Sequence, residues 1–247
     1  LPSALAAALR AAGATSAVVK TNQFQGGEVA VEATRVLRAA GIRTALIARG
    51  GYLWSRFESR VHGDQSDRAT WAARMEGDLL RSADMVVGTS TSMIEDLGWR
   101  YHIPVIRRQV VPNYILPGPD PIRQPPTPGH RPVILAAGRL EPQKRLDMIV
   151  HAVAASGKAD AVTLRIFGNG PLGVQLLKQA QREGVSLDLK PNTPHAELLE
   201  QMRVCDLFVQ CSAYEGHPKT VIEAMGAGAC VLVTDTPGLG SAVEHDV

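Results

Sequence analysis

Asp206-Leu207-Phe208-Val209-Gln210 and, after a short loop, Tyr214-Glu215-Gly216-His217-Pro218-Lys219-Thr220-Val221-Ile222-Glu223-Ala224-Met225-Gly226-Ala227-Gly228 read together as one strand, one turn and one helix. The first segment is a brief apolar run of strand length. Glu215 to His217 form the turn, and Pro218 is favoured as the first helical residue because its missing amide would have no intrahelical partner there. Glu215 therefore stands just outside the helix and Glu223 inside it. The free amides of a first turn and the positive end of its dipole suit an anion. Ionised carboxylates accept hydrogen bonds from hydroxyl groups, so an anion held beside hydroxyls points to a nucleotide sugar.

Working upstream, Pro132-Val133-Ile134-Leu135-Ala136-Ala137 is a second apolar strand that empties into Gly138-Arg139-Leu140-Glu141-Pro142-Gln143-Lys144. In an open α/β sheet that place is the crevice beyond the strand ends. A guanidinium beside an ammonium is suited to gripping phosphate oxygens, which makes Arg139 and Lys144 candidates. A third strand ends in Phe167-Gly168-Asn169-Gly170-Pro171, a turn that lets the backbone pass close to a ligand.

The same rhythm extends in both directions. Strands are expected at 133–137, 162–167, 186–189, 206–210 and 229–234, alternating with helices at 145–155, 172–183, 195–204 and 218–227. Short apolar strands separated by amphipathic helices predict a parallel sheet covered on both faces. The 195–204 helix carries Leu198, Leu199 and Met202 on one face and reads as scaffolding. Earlier in the chain, strands are expected at 17–20, 44–48, 85–88 and 109–112, with helices at 28–40, 68–82 and 91–99. Trp71, Met75 and Leu79 recur at four-residue spacing, a core pattern. Eight of the sixteen prolines fall between Pro112 and Pro132. Proline removes amide donors and fixes φ, so this segment predicts a stiff, extended connector. The expected organisation is a first lobe over 1–118, a linker over 119–131 and a second lobe over 132–247, each lobe a Rossmann-like, doubly wound α/β layer.

Taken together, Gly138-Arg139-Leu140 with Lys144, Phe167-Gly168-Asn169-Gly170-Pro171, and Glu215 with Glu223-Ala224-Met225 resemble in order and spacing the donor lobe of glycosyltransferase family 4, a retaining GT-B family. The resemblance is dense from 133 to 233 and thinner from 83 to 113. It implies a GT-B hexosyltransferase that moves a sugar from a nucleoside-diphosphate sugar to a saccharide or lipid-linked acceptor, in polysaccharide or glycolipid synthesis, without a metal or other cofactor. It implies catalytic roles for Arg139, Lys144 and Glu215. Donor contacts would come from Gly138, Gly168, Asn169, Gly170, Gly216, His217, Pro218, Lys219, Thr220 and Glu223, with Pro218 offering no amide. The first lobe would bind the acceptor. Both lobes resemble trimmed versions of the family's pattern, which begins with a glycine-rich loop and ends with a long returning helix.

This sequence departs from the family in three places. Arg145 follows the site lysine where a glycine is common, and Lys190-Pro191 stands where another glycine is common. The acceptor-lobe strand that usually ends in a histidine ends here in Ala48-Arg49-Gly50. Arg49 is accordingly a candidate acceptor contact, as are Asn22 and Gln23 beside the Gly26-Gly27 turn.

Composition narrows the alternatives. Residues 1–118 hold 14 Lys and Arg against 10 Asp and Glu, and residues 119–247 hold 12 against 14. A +4 lobe beside a −2 lobe is too mild for a nucleic-acid footprint but fits peripheral association with an anionic membrane surface. The opening residues lack a basic start and a secretory apolar run, and the expectation is a cytoplasmic protein at the inner membrane face. Cys205, Cys211 and Cys230 lack C-x-x-C spacing and read as small core residues. The seven histidines are scattered, and no metal site is implied. Two other readings stay open: a non-catalytic nucleotide or carbohydrate module, and a dinucleotide-binding protein, for which neither Gly26-Gly27 nor Gly168-x-Gly170 completes G-x-G-x-x-G.

Overall fold

A computed structural model describes residues 2–115, 129–236, 238–240 and 242–244. It contains two compact units, Leu1–Pro112 and Asn113–Val247. Residues 119–128 of the expected proline-rich connector lie outside the described residues.

The first unit is built on four parallel strands, β1 (Ser16–Lys20), β2 (Arg43–Arg49), β3 (Met85–Gly88) and β4 (Arg108–Val110), ordered in the sheet as in the chain. Ser16 pairs with Arg43, Ile47 with Met85 and Val86 with Arg108. Helices α1 (Pro2–Ala11), α2 (Gly27–Ala39), α3 (Trp54–His62), α4 (Asp67–Ser82) and α5 (Thr91–Tyr101) accompany them. Phe24, Leu46, Trp54, Leu79, Leu80 and Val86 form the main core. Two helix starts are fixed by side-chain caps: the Ser66 hydroxyl accepts from the Ala69 amide and the Ser90 hydroxyl from the Met93 amide.

Helices α1 and α3 were not anticipated. The α3 start is anchored by polar groups rather than by an apolar stripe. Glu76, fully buried on α4, accepts from the Trp54 amide at 2.8 Å, the Ser55 hydroxyl at 2.5 Å and the Tyr101 hydroxyl at 2.6 Å. Burial raises its pKa, against the opposing pull of these bonds. The expectation that Trp71 is core is corrected: it is exposed, meeting buried Trp54 edge-on at 5.1 Å, while Leu79 further along the same stripe is fully buried.

Among its described residues the second unit contains five parallel strands in the order β7-β6-β5-β8-β9, with β5 (Val133–Ala137), β6 (Thr163–Phe167), β7 (Leu187–Lys190), β8 (Leu207–Gln210) and β9 (Val231–Val233). Its helices are α6 (Leu146–Ala155), α7 (Gly173–Arg182), α8 (His195–Val204) and α9 (Lys219–Gly226). Period-two alternation along β5 divides the core. Ile134 and Ala136 pack with Leu146, Ile149 and Leu176 of α6 and α7, whereas Leu135 and Ala137 pack with Met202, Val221 and Ala224 of α8 and α9. The sheet is therefore covered on both faces, as its continuous apolar strands require. The cysteine expectation holds for buried Cys205 and for Cys211, which packs partly buried against the α6 and α7 side of the core, but not for Cys230. Cys211 is half-buried, and Cys230 is exposed where the chain enters β9, an edge strand only three residues long. Among the described residues, no helix is long and apolar enough to cross a membrane.

Glu76→Ala should take the acceptor from the buried Trp54 amide and Ser55 hydroxyl, leave the Tyr101 hydroxyl only its 3.2 Å contact with Ser55, and cost about 3 kcal/mol. Chemical denaturation checks this, with Tyr101→Phe expected to cost only about 1 kcal/mol.

Candidate functional site

In the second unit the chain moves outward from β5 through β6 to β7 and then returns to the other side of β5 as β8 and β9. The carboxyl ends of β5 and β8 therefore flank a topological switch point, where open α/β sheets form ligand crevices. Two of the anticipated residues meet there. Lys144 Nζ lies 2.6 Å from Glu215 Oε1, and both side chains are largely withdrawn from solvent. Lys144 ends a short 3-10 turn after β5, and Glu215 lies on the loop after β8.

Neighbouring bonds hold the two loops in place. Gln143 donates from its side chain to the Tyr214 carbonyl at 2.8 Å and accepts the Ala213 amide at 2.9 Å. Gln210, buried at the end of β8, donates to Glu215 Oε1 at 3.1 Å and accepts from the Thr220 hydroxyl at 2.9 Å. It thereby links the turn to the first residues of α9. The Asn113 side chain donates to the His217 carbonyl at 2.6 Å.

The glycines after β5 and β6 serve close backbone approach. A Cβ on Gly168 would overlap the Gly138 carbonyl oxygen, and one on Gly170 would sit 2.5 Å from the Leu140 carbonyl oxygen. The loops are joined by Gly138 N–H to Phe167 O, Leu140 N–H to Asn169 O and Leu172 N–H to Leu140 O, at 2.9, 2.8 and 3.1 Å. Between the glycines, Asn169 directs its amide to Asn192 at 2.8 Å. Arg145 keeps a left-handed conformation, φ 48°, at the position where glycine was expected, and Asn192 takes φ 53° beyond Lys190-Pro191.

Glu223 is buried on α9, yet its Oε1 lies 2.9 Å from His195 Nε2 and 3.4 Å from Lys219 Nζ. The two carboxylates of the opening motif thus have separate partners. Helix α8 was read as scaffolding, but its first residue, His195, reaches this carboxylate; a histidine directly after Pro194 at a helix start was the available signal. Gln210 was also missed, although a polar residue closing an apolar strand marked it. Arg139 is mostly exposed and pairs with Glu141 at 3.0 Å, not with Glu215. The helix α9 has Pro218 as its N-cap, one residue earlier than expected, and the amides of Lys219 and Thr220 open its first turn. Asn22, Gln23 and Arg49 belong to the first unit. There they follow or end adjacent strands β1 and β2, joined by the Thr21 hydroxyl donating to the Arg49 carbonyl at 2.8 Å.

The Nδ1 atom of His217 is buried and has no hydrogen-bond partner among the described residues, and burial lowers its pKa from the ordinary 6.5. A lowered histidine pKa favours the neutral ring in the folded state. Its stability contribution is therefore intact above the ordinary value and is lost as pH falls from there through the lowered one. Melting temperatures between about pH 8 and about pH 5 should fall more steeply for the parent than for His217→Gln; parallel curves would contradict the assignment.

The chain is similar to known glycosyltransferases. The family model described as glycosyl transferases group 1 matches residues 120–247. The chain is 31% identical over 186 residues to the mannosylfructose-phosphate synthase of Agrobacterium fabrum, covering 68% of this chain and 41% of the relative. It is 28% identical over 204 residues to the D-inositol 3-phosphate glycosyltransferase of Thermobispora bispora, covering 74% and 48%. The chain thus spans less than half the length of these curated relatives. Among solved structures, Anabaena HepE in complex with UDP and glucose superposes with a TM-score of 0.74 at 20% identity, covering 93% of this chain and 62% of that one. The catalytic domain of starch synthase IV from Arabidopsis thaliana, bound to ADP and acarbose, gives 0.71 at 15% identity, covering 99% and 62%. These likenesses establish the GT-B fold of two Rossmann-like units. With more than half of its length matched by the family model, the chain belongs to the glycosyl transferases group 1 family.

Proposed function

We propose that this chain is the sugar-transferring part of a retaining family 4 glycosyltransferase, taking a hexose from a nucleoside-diphosphate sugar to a saccharide or lipid-linked acceptor in polysaccharide or glycolipid synthesis. The observation that carries this reading is the Lys144–Glu215 pair at the switch point, beside the start of α9. An ammonium has three N–H donors, and the bond to Glu215 leaves two for the oxygens of a diphosphate. The names of the relatives support sugar transfer, and the nucleotides in the solved structures support a nucleoside-diphosphate donor.

In the proposed reaction the bond from the anomeric carbon to the diphosphate oxygen breaks, a bond to the acceptor hydroxyl oxygen forms with retained configuration, and the hydroxyl proton passes to the departing diphosphate. Lys144 and Arg139 stabilise the negative charge growing on the leaving diphosphate, the role otherwise open to a metal. Amides of Gly216, His217, Lys219 and Thr220 assist at the positive end of α9. Glu215 faces the donor sugar, where its carboxylate accepts from hydroxyls and offsets positive charge at the anomeric carbon. Glu223, oriented by His195, accepts the ribose hydroxyls. The Gly138 and Gly168-Asn169-Gly170 backbones line the nucleotide, and Asn22, Gln23 and Arg49 serve the acceptor.

Preorganised charge of this kind is commonly worth about 3 to 4 kcal/mol. Lys144→Ala should therefore reduce kcat/KM by roughly a hundredfold or more; transfer at the parental rate would remove the assignment. Melting with UDP, GDP, ADP or NAD added separately tests the donor site and names its base. A nucleoside diphosphate at a hundredfold excess over Kd should stabilise the parent by roughly 2.7 kcal/mol, and Glu223→Ala should abolish the shift. A shift with NAD alone would overturn the transferase reading in favour of dinucleotide binding.

A further inference from the structure

The geometry points to a saccharide-binding platform on the first unit, formed by the exposed rings of Trp71 and Tyr52, on which a sugar ring of the acceptor stacks. This rests on the reading of the chain as a sugar transferase and names the acceptor chemistry: a pyranose, free or carrying a lipid. Every residue of the platform lies in Leu1–Pro112, so it can be tested apart from Lys144 and Glu215.

Topology places both rings on the ligand edge of the sheet. The chain leaves β2 at Arg49 and enters α3 at Trp54, so the start of α3 stands at the carboxyl ends of the strands, where ligands bind in such sheets. Helix α4 returns the chain to the start of β3, so its own start points towards the same edge. Its height is fixed by Gly27, which opens α2 beyond β1: a Cβ there would overlap the Leu79 side chain of α4. Trp71 comes eight residues before Leu79, about 12 Å further out along the helix. It stands beyond the strand ends, on the edge that also carries Asn22, Gln23 and Arg49.

Each exposed ring rests on a more buried one. Trp71 is 44% exposed and meets fully buried Trp54 with the ring planes at 89°. A perpendicular neighbour covers at most one face of a ring, so Trp54 leaves at least one face of the Trp71 indole uncovered. Tyr52, 39% exposed, inclines at 59° to half-buried Phe57, with centroids 5.8 Å apart. Trp54 and Phe57 are three residues apart on α3 and therefore neighbours on one side of it. The two exposed rings thus flank a single helical turn.

The bonding beneath the rings holds them in place. Trp54 is gripped by two buried carboxylates: Glu76 accepts from its amide, and Glu58 accepts from its Nε1 at 3.0 Å and from Arg68 Nε at 2.7 Å. Burying two carboxylates is costly unless both are well bonded, and here the bonds converge on the first turn of α3. The Tyr52 loop is fixed as well. The Gly50 amide donates to the Val87 carbonyl at 3.2 Å and the Thr89 hydroxyl to the Gly51 carbonyl at 3.3 Å, while a Cβ on Gly50 would lie 2.6 Å from the Phe24 ring. An aromatic surface held this way loses little freedom when a ligand settles on it.

Ring chemistry selects the occupant. An aromatic face is electron-rich and attracts the polarised C–H groups of a pyranose, whose hydroxyls need hydrogen-bond partners around it. Arg68, one turn before Trp71 on α4, keeps most of its side chain exposed beside its bond to Glu58, and Asn22 and Gln23 add exposed amides on the same edge. Two partly exposed rings are too small for the core of a stable protein interface of about 1,000 Å². An acyl chain laid over them would leave those polar groups without partners. A polyhydroxylated ring satisfies both the faces and their surroundings.

The test is NMR of the indole N–H signals of the full 247-residue chain, whose three tryptophans are Trp54, Trp71 and Trp99. Trp71→Phe and Trp99→Phe assign the signals, and an unmoved Trp99 signal reports an intact fold in every other variant. The probes are the methyl and octyl glycosides of glucose, mannose, galactose and N-acetylglucosamine, with hexanediol as an apolar probe without a sugar. At least one methyl glycoside should shift the Trp71 signal and leave Trp99 in place. Trp71→Leu and Tyr52→Leu should each weaken that sugar's binding roughly threefold to tenfold, whereas Trp71→Phe should stay within about twofold. Equal binding of methyl and octyl forms supports a free saccharide acceptor, and tighter binding of the octyl form a lipid-linked one. No Trp71 shift with any sugar, an equal shift with hexanediol, or undiminished binding by both leucine variants would overturn the platform even if a nucleoside diphosphate stabilises the chain. A sugar-dependent Trp71 shift in a chain that binds no nucleoside diphosphate would uphold the sugar site and overturn the transferase reading instead.

Discussion

The second unit depends on one ion pair placed where the sheet changes direction. Lys144 and Glu215 are 71 residues apart in sequence and 2.6 Å apart in space because β5 and β8 are neighbours in the sheet but not in the chain. Their removal from water makes the pair sensitive to loss of either member, since a single charge left behind would keep the desolvation penalty without its partner. Gln143 and Gln210 brace the two loops independently. The geometry of Glu215 is therefore set from both strands.

The first unit is organised differently. Its internal polar bonding centres on Glu76, which ties α3 to α4 and α5 through hydrogen bonds, and arginines stitch its helix ends together, Arg10 at the Ala40 carbonyl and Arg107 at the Leu80 carbonyl. An arginine bonded to a neighbouring carbonyl keeps its full charge, so these stitches stabilise the unit and leave its positive field in place. Structural and surface roles are thus combined in the same side chains.

The strand and helix alternation was legible because apolar runs such as Val133–Ala137 are bounded by glycine or proline and spaced by amphipathic stretches. Helix α3 was not legible. Its buried residues are Trp54, Ser55 and Glu58, of which two are polar, and no apolar stripe marks them. Helix α1 buries only Ala6 and so carries almost no periodic signal. In the site, the motif residues Lys144, Glu215 and Glu223 stood out by spacing, whereas their partners His195, Gln143 and Gln210 became visible only through three-dimensional neighbours. The exposure of Trp71 was hidden for the same reason: helical spacing identifies a face but not what covers its first residue.

The hydrogen bonds joining the Gly138–Leu140 and Gly168–Gly170 loops make irregular backbone as constrained as the strands on which it sits. Loop ordering usually opposes association, because each residue that stiffens loses conformational freedom at the moment of binding. Here that entropy has been surrendered during folding. A nucleotide meeting these loops would encounter a surface with little configurational freedom left to give up.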